Sequence, residues 1–256
     1  MLDELYLSKA SLTEKEQISG YLRKLPVVAY LEEINFCRPV TFLVGENGTG
    51  KSTLIEALAI KCGFNPEGGT KNFRFATNET HSELYRYLKV TRGYKRERDG
   101  FFLRAESFYN AASYIEGLDE IPAPSPKIRE SYGGDSLHRQ SHGESFMSLA
   151  LNRFGGKGLY ILDEPEAALS PSRQLTLIAE MDRLVKQDSQ LIIATHSPIL
   201  LAYPDSRIYQ LDGTGIRPIA YEEAEAVRIT RAFLNRLEQT VRQLLQAEEN
   251  RPPSGE

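Results

Sequence analysis

Residues 45–53 read Gly-Glu-Asn-Gly-Thr-Gly-Lys-Ser-Thr, a G-x-x-x-x-G-K-[ST] pattern set directly after the apolar run Val40-Thr41-Phe42-Leu43-Val44 and ahead of residues with helical spacing. The pattern restricts the fold because it needs a strand to deliver the loop and a helix to receive it. Gly45, Gly48 and Gly50 let the backbone curl round an anion, since without a Cβ it reaches unusual φ/ψ values and its N–H groups approach closely. The helix expected from Ser52 onward adds orphan N–H donors and a positive dipole end. This chemistry suits a nucleoside triphosphate. Lys51 would reach the β- and γ-phosphates, Ser52 would ligate Mg²⁺ and Thr53 would lie near the α-phosphate. The backbone of Gly45, Glu46, Asn47, Gly48, Thr49 and Gly50 would wrap the rest.

A chain of 256 residues with 41% apolar content fits one large α/β domain, or a domain with a sizeable insertion. The formal charge of −4 gives no global basic bias, so contact with nucleic acid would have to come from a local patch. Cys37 and Cys62 lack metal-ligand spacing and suit a reducing cytosol. Met1-Leu2-Asp3-Glu4 has neither a basic nor an apolar leader region, and no apolar run is long enough to span a bilayer. The expectation is a soluble, cytoplasmic protein with no membrane span.

Downstream, Leu159-Tyr160-Ile161-Leu162 ends in Asp163-Glu164-Pro165, the form of a Walker B strand. Asp163 would hold Mg²⁺ through water, and Glu164 would orient and polarise the water that attacks the γ-phosphate. A second buried run, Leu191-Ile192-Ile193-Ala194, leads to His196. A lone histidine at a strand end reads equally as structural, but after these motifs it occupies the place of a γ-phosphate sensor. Ser170-Pro171 is a helix start, followed by Leu177, Met181, Leu184 and Val185 at helical spacing. Ser141-His142-Gly143-Glu144 opens a further helical stripe and reads in two ways. It is a capping box, or an outward-facing anion site for a nucleotide held by another subunit.

Taken in order, residues 45–53, Ser141–Glu144, Asp163–Glu164, Ala167–Ser170 and His196 resemble the ATP-binding cassette (ABC) ATPases: Walker A, signature, Walker B, D-loop and switch histidine. The Glu-ended signature is similar to the SMC/RecF-like soluble branch, and the Asp163–Pro171 stretch resembles compact bacterial ATPases of that branch without coiled-coil arms. The resemblance implies a P-loop NTPase head of the α/β class: a central, largely parallel sheet, an antiparallel β part and a helical/hairpin insert carrying the signature. It also implies ATP and Mg²⁺ as cofactors, with Lys51, Glu164 and His196 as catalytic residues. An ATP-dependent homodimer would place Ser141, Gly143 and Glu144 in trans. Three positions depart from the pattern. His142 stands where the family has glycine, Ser170 replaces the D-loop aspartate, and no glutamine lies between Thr53 and Gln140. Glu106 is the candidate for the vacant glutamine place near Mg²⁺, and a solvated strand-end acid is an equally good description of it.

The span from Lys51 to Asp163 is too short for long heptad arms. The expected organisation is a single domain, 1–256, with a nucleotide-binding core in 1–63 and 155–220 and an inserted lobe in 64–154. Within the lobe the pattern predicts a strand near 72–75, a basic hairpin of residues 84–92 and 101–105, a helix over 107–118 and a Pro-rich linker at 122–126. The hairpin tip gathers Arg92, Tyr94, Lys95, Arg96, Arg98 and Phe101, a mixture suited to DNA or RNA, or simply a solvated turn. C-terminal helices are expected over 221–250, with Phe233, Leu237, Val241, Leu244 and Leu245 packing on the core or on a partner helix. A disordered tail is expected at 251–256. The functional expectation is an ATP-hydrolysing conformational switch in a DNA-related or defence process, working through an effector protein partner. Two alternatives stand beside it. One is the nucleotide-binding subunit of an ABC transporter, disfavoured by the Glu-ended signature and the missing glutamine. The other is an ATP-gated regulatory module with little hydrolysis, suggested by His142 and Ser170.

Overall fold

The computed structural model describes residues 5–71, 82–105 and 142–249. Its strands, in chain order, are β1 (Leu7–Leu12), β2 (Glu33–Asn35), β3 (Val40–Val44), β4 (Leu88–Arg92), β5 (Asp99–Arg104), β6 (Gly158–Asp163), β7 (Gln190–Ala194), β8 (Arg207–Asp212) and β9 (Gly215–Ile219). The helices are α1 (Pro26–Tyr30), α2 (Lys51–Lys61), α3 (Leu84–Tyr87), α4 (His142–Arg153), α5 (Pro171–Lys186), α6 (Glu225–Asn235) and α7 (Leu237–Glu249).

Six strands form one sheet in the order β5-β6-β7-β3-β8-β9, parallel throughout except for the terminal hairpin of β8 and β9. Both faces of this sheet are covered, which is why its inner strands read as unbroken apolar runs rather than as alternations. Along β3, Val40, Phe42 and Val44 join a core shared with α4 and α5, while Leu43 faces a second core shared with α2 and the N-terminal sheet. β6 divides in the same way, with Tyr160 and Leu162 on one side and Leu159 and Ile161 on the other.

The second sheet is antiparallel, β2-β1-β4. The fully buried Gln190 locks it to the large sheet: its side-chain Nε2 donates to the Leu7 carbonyl and its Oε1 accepts from the Leu7 N–H, both at 2.8 Å. One amide thus satisfies two main-chain groups that would otherwise be buried unpaired.

The expected hairpin of residues 84–92 and 101–105 does not form. β4 pairs with β1 in the small sheet, and β5 pairs with β6 in the large one. The turn between them passes from one sheet to the other, and the register Arg104↔Asp163 sets β5 beside β6, the strand that ends in Asp163. Phe101, expected near a nucleic-acid-binding tip, is instead wholly buried in the large core. Arg92 is held by Glu97 at 2.8 Å and by the Cys62 carbonyl at 3.0 Å. The expected strand near 72–75, the helix over 107–118, the Pro-rich linker and the tail at 251–256 lie outside the described residues.

Candidate nucleotide site

Strands β3, β6 and β7 run parallel and adjacent in the sheet, so their carboxyl ends open on one edge, the usual ligand position of an open α/β sheet. The phosphate loop follows β3, Asp163 ends β6 with Glu164 just after it, and His196 follows β7. Sequence-distant motifs therefore meet at one place.

Within the loop, Gly50 has φ 93 and Gly48 has φ 83, left-handed values that favour glycine. A Cβ on Gly50 would collide with the Val27 side chain, and one on Gly45 with the Leu211 carbonyl. The loop is further pinned by the Val27 N–H donating to the Thr49 carbonyl at 3.0 Å. α2 starts at Lys51, whose buried ammonium donates to the carbonyls of Gly45 at 2.6 Å and Glu46 at 3.1 Å. Burial lowers the Lys51 pKa from its ordinary value, against the opposing pull of Glu164, Asp163 and Glu166. Glu46 and Asn47 are exposed at the loop's apex, and Thr49 turns its hydroxyl to the Glu46 carbonyl at 2.9 Å. Ser52 and Thr53, half-buried, occupy the first turn of α2.

The Ser52 hydroxyl donates to Asp163 Oδ1 at 3.2 Å. Two oxygens thus converge where a cation can sit. Among the described residues no group of three or more His, Cys, Asp or Glu could hold a metal by itself, so a cation here would take its remaining ligands from phosphate and water. Burial pushes the Asp163 carboxyl up to about 6, in spite of the Arg104 guanidinium beside it, and Glu164 adds to the rise. Arg104 was not singled out by its sequence pattern. It bridges Asp163 Oδ2 at 3.1 Å and Glu56 Oε2 at 2.8 Å. Glu56, on α2, also accepts the Ser82 N–H at 2.7 Å.

Glu164 adopts a left-handed conformation, φ 50 and ψ 51, with its N–H on the Ala194 carbonyl at 2.9 Å. For a non-glycine residue this costs on the order of 1 kcal/mol, and such strain concentrates at functional sites. Its carboxylate Oε1 lies 3.7 Å from His196 Nε2. That nitrogen is buried without a hydrogen-bond partner, so its hydrogen-bonding capacity is unmet. Glu166 is a second residue that the sequence left unassigned. Its carboxylate accepts the Thr195 hydroxyl at 2.7 Å and the His196 N–H at 2.5 Å, fixing the backbone that carries the histidine. A parallel link joins the segment ahead of α5 to the same turn: Gln174 donates to the Leu169 carbonyl at 3.0 Å and accepts from the Ser197 hydroxyl at 2.5 Å.

Ser170 is the N-cap residue of α5 with Pro171 in its first turn, but its hydroxyl contacts Ser172 at 3.1 Å rather than capping the helix. α4 begins at His142. The Glu144 carboxylate pairs with Arg173 at 3.1 Å, and Gly143 lies against the Ala168 carbonyl so closely that a Cβ would come within 2.7 Å. This glycine therefore has a packing reason within its own chain. Ser141 and Glu106 lie outside the described residues.

Fold and site together define a P-loop nucleotide-binding domain built on a largely parallel α/β sheet. The chain belongs to the AAA domain family, whose model matches residues 26–153, half of the sequence. A second family model, described as "AAA domain, putative AbiEii toxin, Type IV TA system", matches residues 144–202. No curated protein matches the sequence.

Among solved structures, cbiO1 from Clostridium perfringens, part of the ABC transporter complex cbiONQ, aligns with a TM-score of 0.50 at 17% identity, over 94% of this chain and 99% of that one. A "putative metal-chelate type ABC transporter" in an inward-facing conformation aligns with a TM-score of 0.50 at 15% identity, over 85% and 84%. The SMC head domain from Thermotoga maritima aligns at 0.43 and 16% identity, over 84% and 100%. At these identities the likeness to the two structures with a TM-score of 0.50 is one of fold. Among the described residues no helix is long and apolar enough to cross a membrane.

Proposed function

We propose that this chain hydrolyses Mg-ATP at a composite site in a head-to-head homodimer and uses the cycle as a conformational switch. The observation that carries the reading is the unpartnered, buried His196 Nε2, 3.7 Å from Glu164 Oε1 at the strand edge that also carries the phosphate loop. A terminal phosphate oxygen would supply the missing partner. In this reading Lys51 leaves its own loop carbonyls for the β- and γ-phosphates, and Ser52 and Asp163 hold Mg²⁺, which supplies charge neutralisation when bound. Glu164 accepts the proton of the attacking water as the bond from the γ-phosphorus to the bridging oxygen breaks and ADP departs. Ser141, Gly143 and Glu144 of the second copy complete the site, so that ATP closes the pair and hydrolysis reopens it.

Glu164→Gln should lower single-turnover hydrolysis about 100-fold or more while leaving ATP binding intact. Completion in trans has its own test. Lys51→Ala and Ser141→Arg chains should each be inactive alone, and should regain activity when co-expressed, because one of the two sites then carries neither substitution. No recovery would overturn the shared site, and an unchanged Glu164→Gln rate would overturn the assignment of the base.

A further inference from the structure

The C-terminal helices leave an apolar seam in water. Of α6, only Val227 is buried, and no residue from 237 to 246 of α7 is buried. Ile229, Phe233, Leu234, Leu237, Val241, Leu244 and Leu245 are between 36% and 64% exposed. Their spacing is helical within each helix: Ile229 and Phe233 are four apart on α6, and Leu237, Val241 and Leu244 follow by four and three on α7, the interval at which paired helices mesh. A helix of 13 residues with no buried side chain over residues 237–246 is marginal alone in water. These side chains together expose on the order of 600 Å², more than a monomer's scattered apolar residues and close to the ~800 Å² per partner of a stable dimer.

The charges point to what covers the seam. Residues 225–236 hold Arg228, Arg231 and Arg236 against Glu225, whereas residues 237–249 hold Glu238, Glu248 and Glu249 against Arg242. A two-fold axis across the middle of the segment would lay the basic half of one copy on the acidic half of the other, twice. The segment as a whole is balanced, unlike the lysine- and arginine-rich face of a helix made for an anionic lipid surface. The N-terminal end of the seam also reaches the nucleotide site: Glu225 and Ile229 line a cavity of about 170 Å³ together with Gly45, Glu46 and His196.

We propose that residues 225–249 form a homodimer seam that needs no nucleotide, in which α6 and α7 of two copies pack antiparallel about a two-fold axis near Leu237. This contact is separate from the ATP sandwich and does not depend on it. It would keep two heads together through the open phase of the cycle, so that each closure is an event within a pair rather than a fresh encounter.

The test is the mass of the full chain by light scattering at micromolar concentration without nucleotide. The wild type should be a dimer, and Leu237→Glu/Leu244→Glu a monomer that binds a fluorescent ATP analogue as well as the wild type. Oxidation should cross-link Leu237→Cys, which would meet itself at the axis, but not Leu244→Cys, which would face the other end of the partner segment. A monomeric wild type, or a dimer that survives the two glutamates, would overturn the seam. Cross-linking at both positions would overturn the antiparallel order. Binding of anionic vesicles in place of self-association would assign the face to membrane instead. Recovery of activity by the co-expressed Lys51→Ala and Ser141→Arg chains reports only on the ATP sandwich, so either idea can fail without the other.

Discussion

Arg104 and Asp163 are paired strand residues of β5 and β6, and the Arg104 Nε donates to Asp163 Oδ2 at 3.1 Å. The guanidinium lies on the same carboxylate that Ser52 reaches from the other oxygen. Its charge offsets two buried acids, Asp163 and Glu56. Both acids are almost fully removed from water, so neutralising the arginine leaves them uncompensated.

Arg104→Gln should therefore lose about 3 kcal/mol in urea unfolding without nucleotide, the order of cost for breaking a buried pair from one side. Adding Glu56→Gln to it should cost less than the two single losses combined, because the pair then becomes two neutral amides. Additive losses would mean that the two residues act independently.

Glu166 positions the histidine rather than the nucleotide. Removing its two hydrogen bonds to Thr195 and His196 frees the turn after β7. Glu166→Ala should slow hydrolysis about tenfold with nucleotide binding retained, equivalent to about 1.4 kcal/mol of lost orientation. Glu166→Gln, which keeps one acceptor oxygen, should fall between. A variant that loses binding and turnover together would assign Glu166 a structural role.

What the sequence makes legible here are groups whose chemistry is tied to local spacing. Lys51, Ser52, Asp163 and His196 each lie at or shortly after the end of an apolar run, and strand ends of a parallel sheet converge by topology. Arg104, Glu56 and Glu166 carry no such local mark. Their roles arise from register between strands far apart in the chain, such as the pairing of β5 with β6. The misassigned hairpin has the same origin: two basic strands either side of a turn look alike whether they pair with each other or with strands elsewhere. Phe101 then reads as a tip aromatic when it is a core residue.

Gly143 offers a test of packing against recognition. A Cβ there would stand 2.7 Å from the Ala168 carbonyl, which is backbone, and 2.5 Å from the Arg173 guanidinium, which can move. Gly143→Ala should cost about 1–3 kcal/mol of stability through displacement of the Ala168 backbone from α4. Combining it with Arg173→Ala should leave most of that loss in place, since the carbonyl clash persists. Thermal melts of the two variants measure both effects.

Asp99 opens β5, at the other end of the strand from Arg104, and governs acid stability through hydrogen bonds. Burial alone would raise its carboxyl. The Gly155 N–H at 2.9 Å, the Tyr160 hydroxyl at 2.7 Å and the Arg153 guanidinium at 2.8 Å outweigh burial and hold it below its ordinary 3.8. A carboxyl depressed on folding contributes stability that is fully present above the unfolded value and is lost as pH falls through the folded one. Asp99→Asn should therefore melt below the wild type at pH 7, and the gap should narrow once pH drops below about 3.8, where the unfolded wild-type carboxyl takes up its proton. Melting temperatures of the two proteins across that range read this directly, and a gap that stayed constant with pH would place the loss in packing instead of charge.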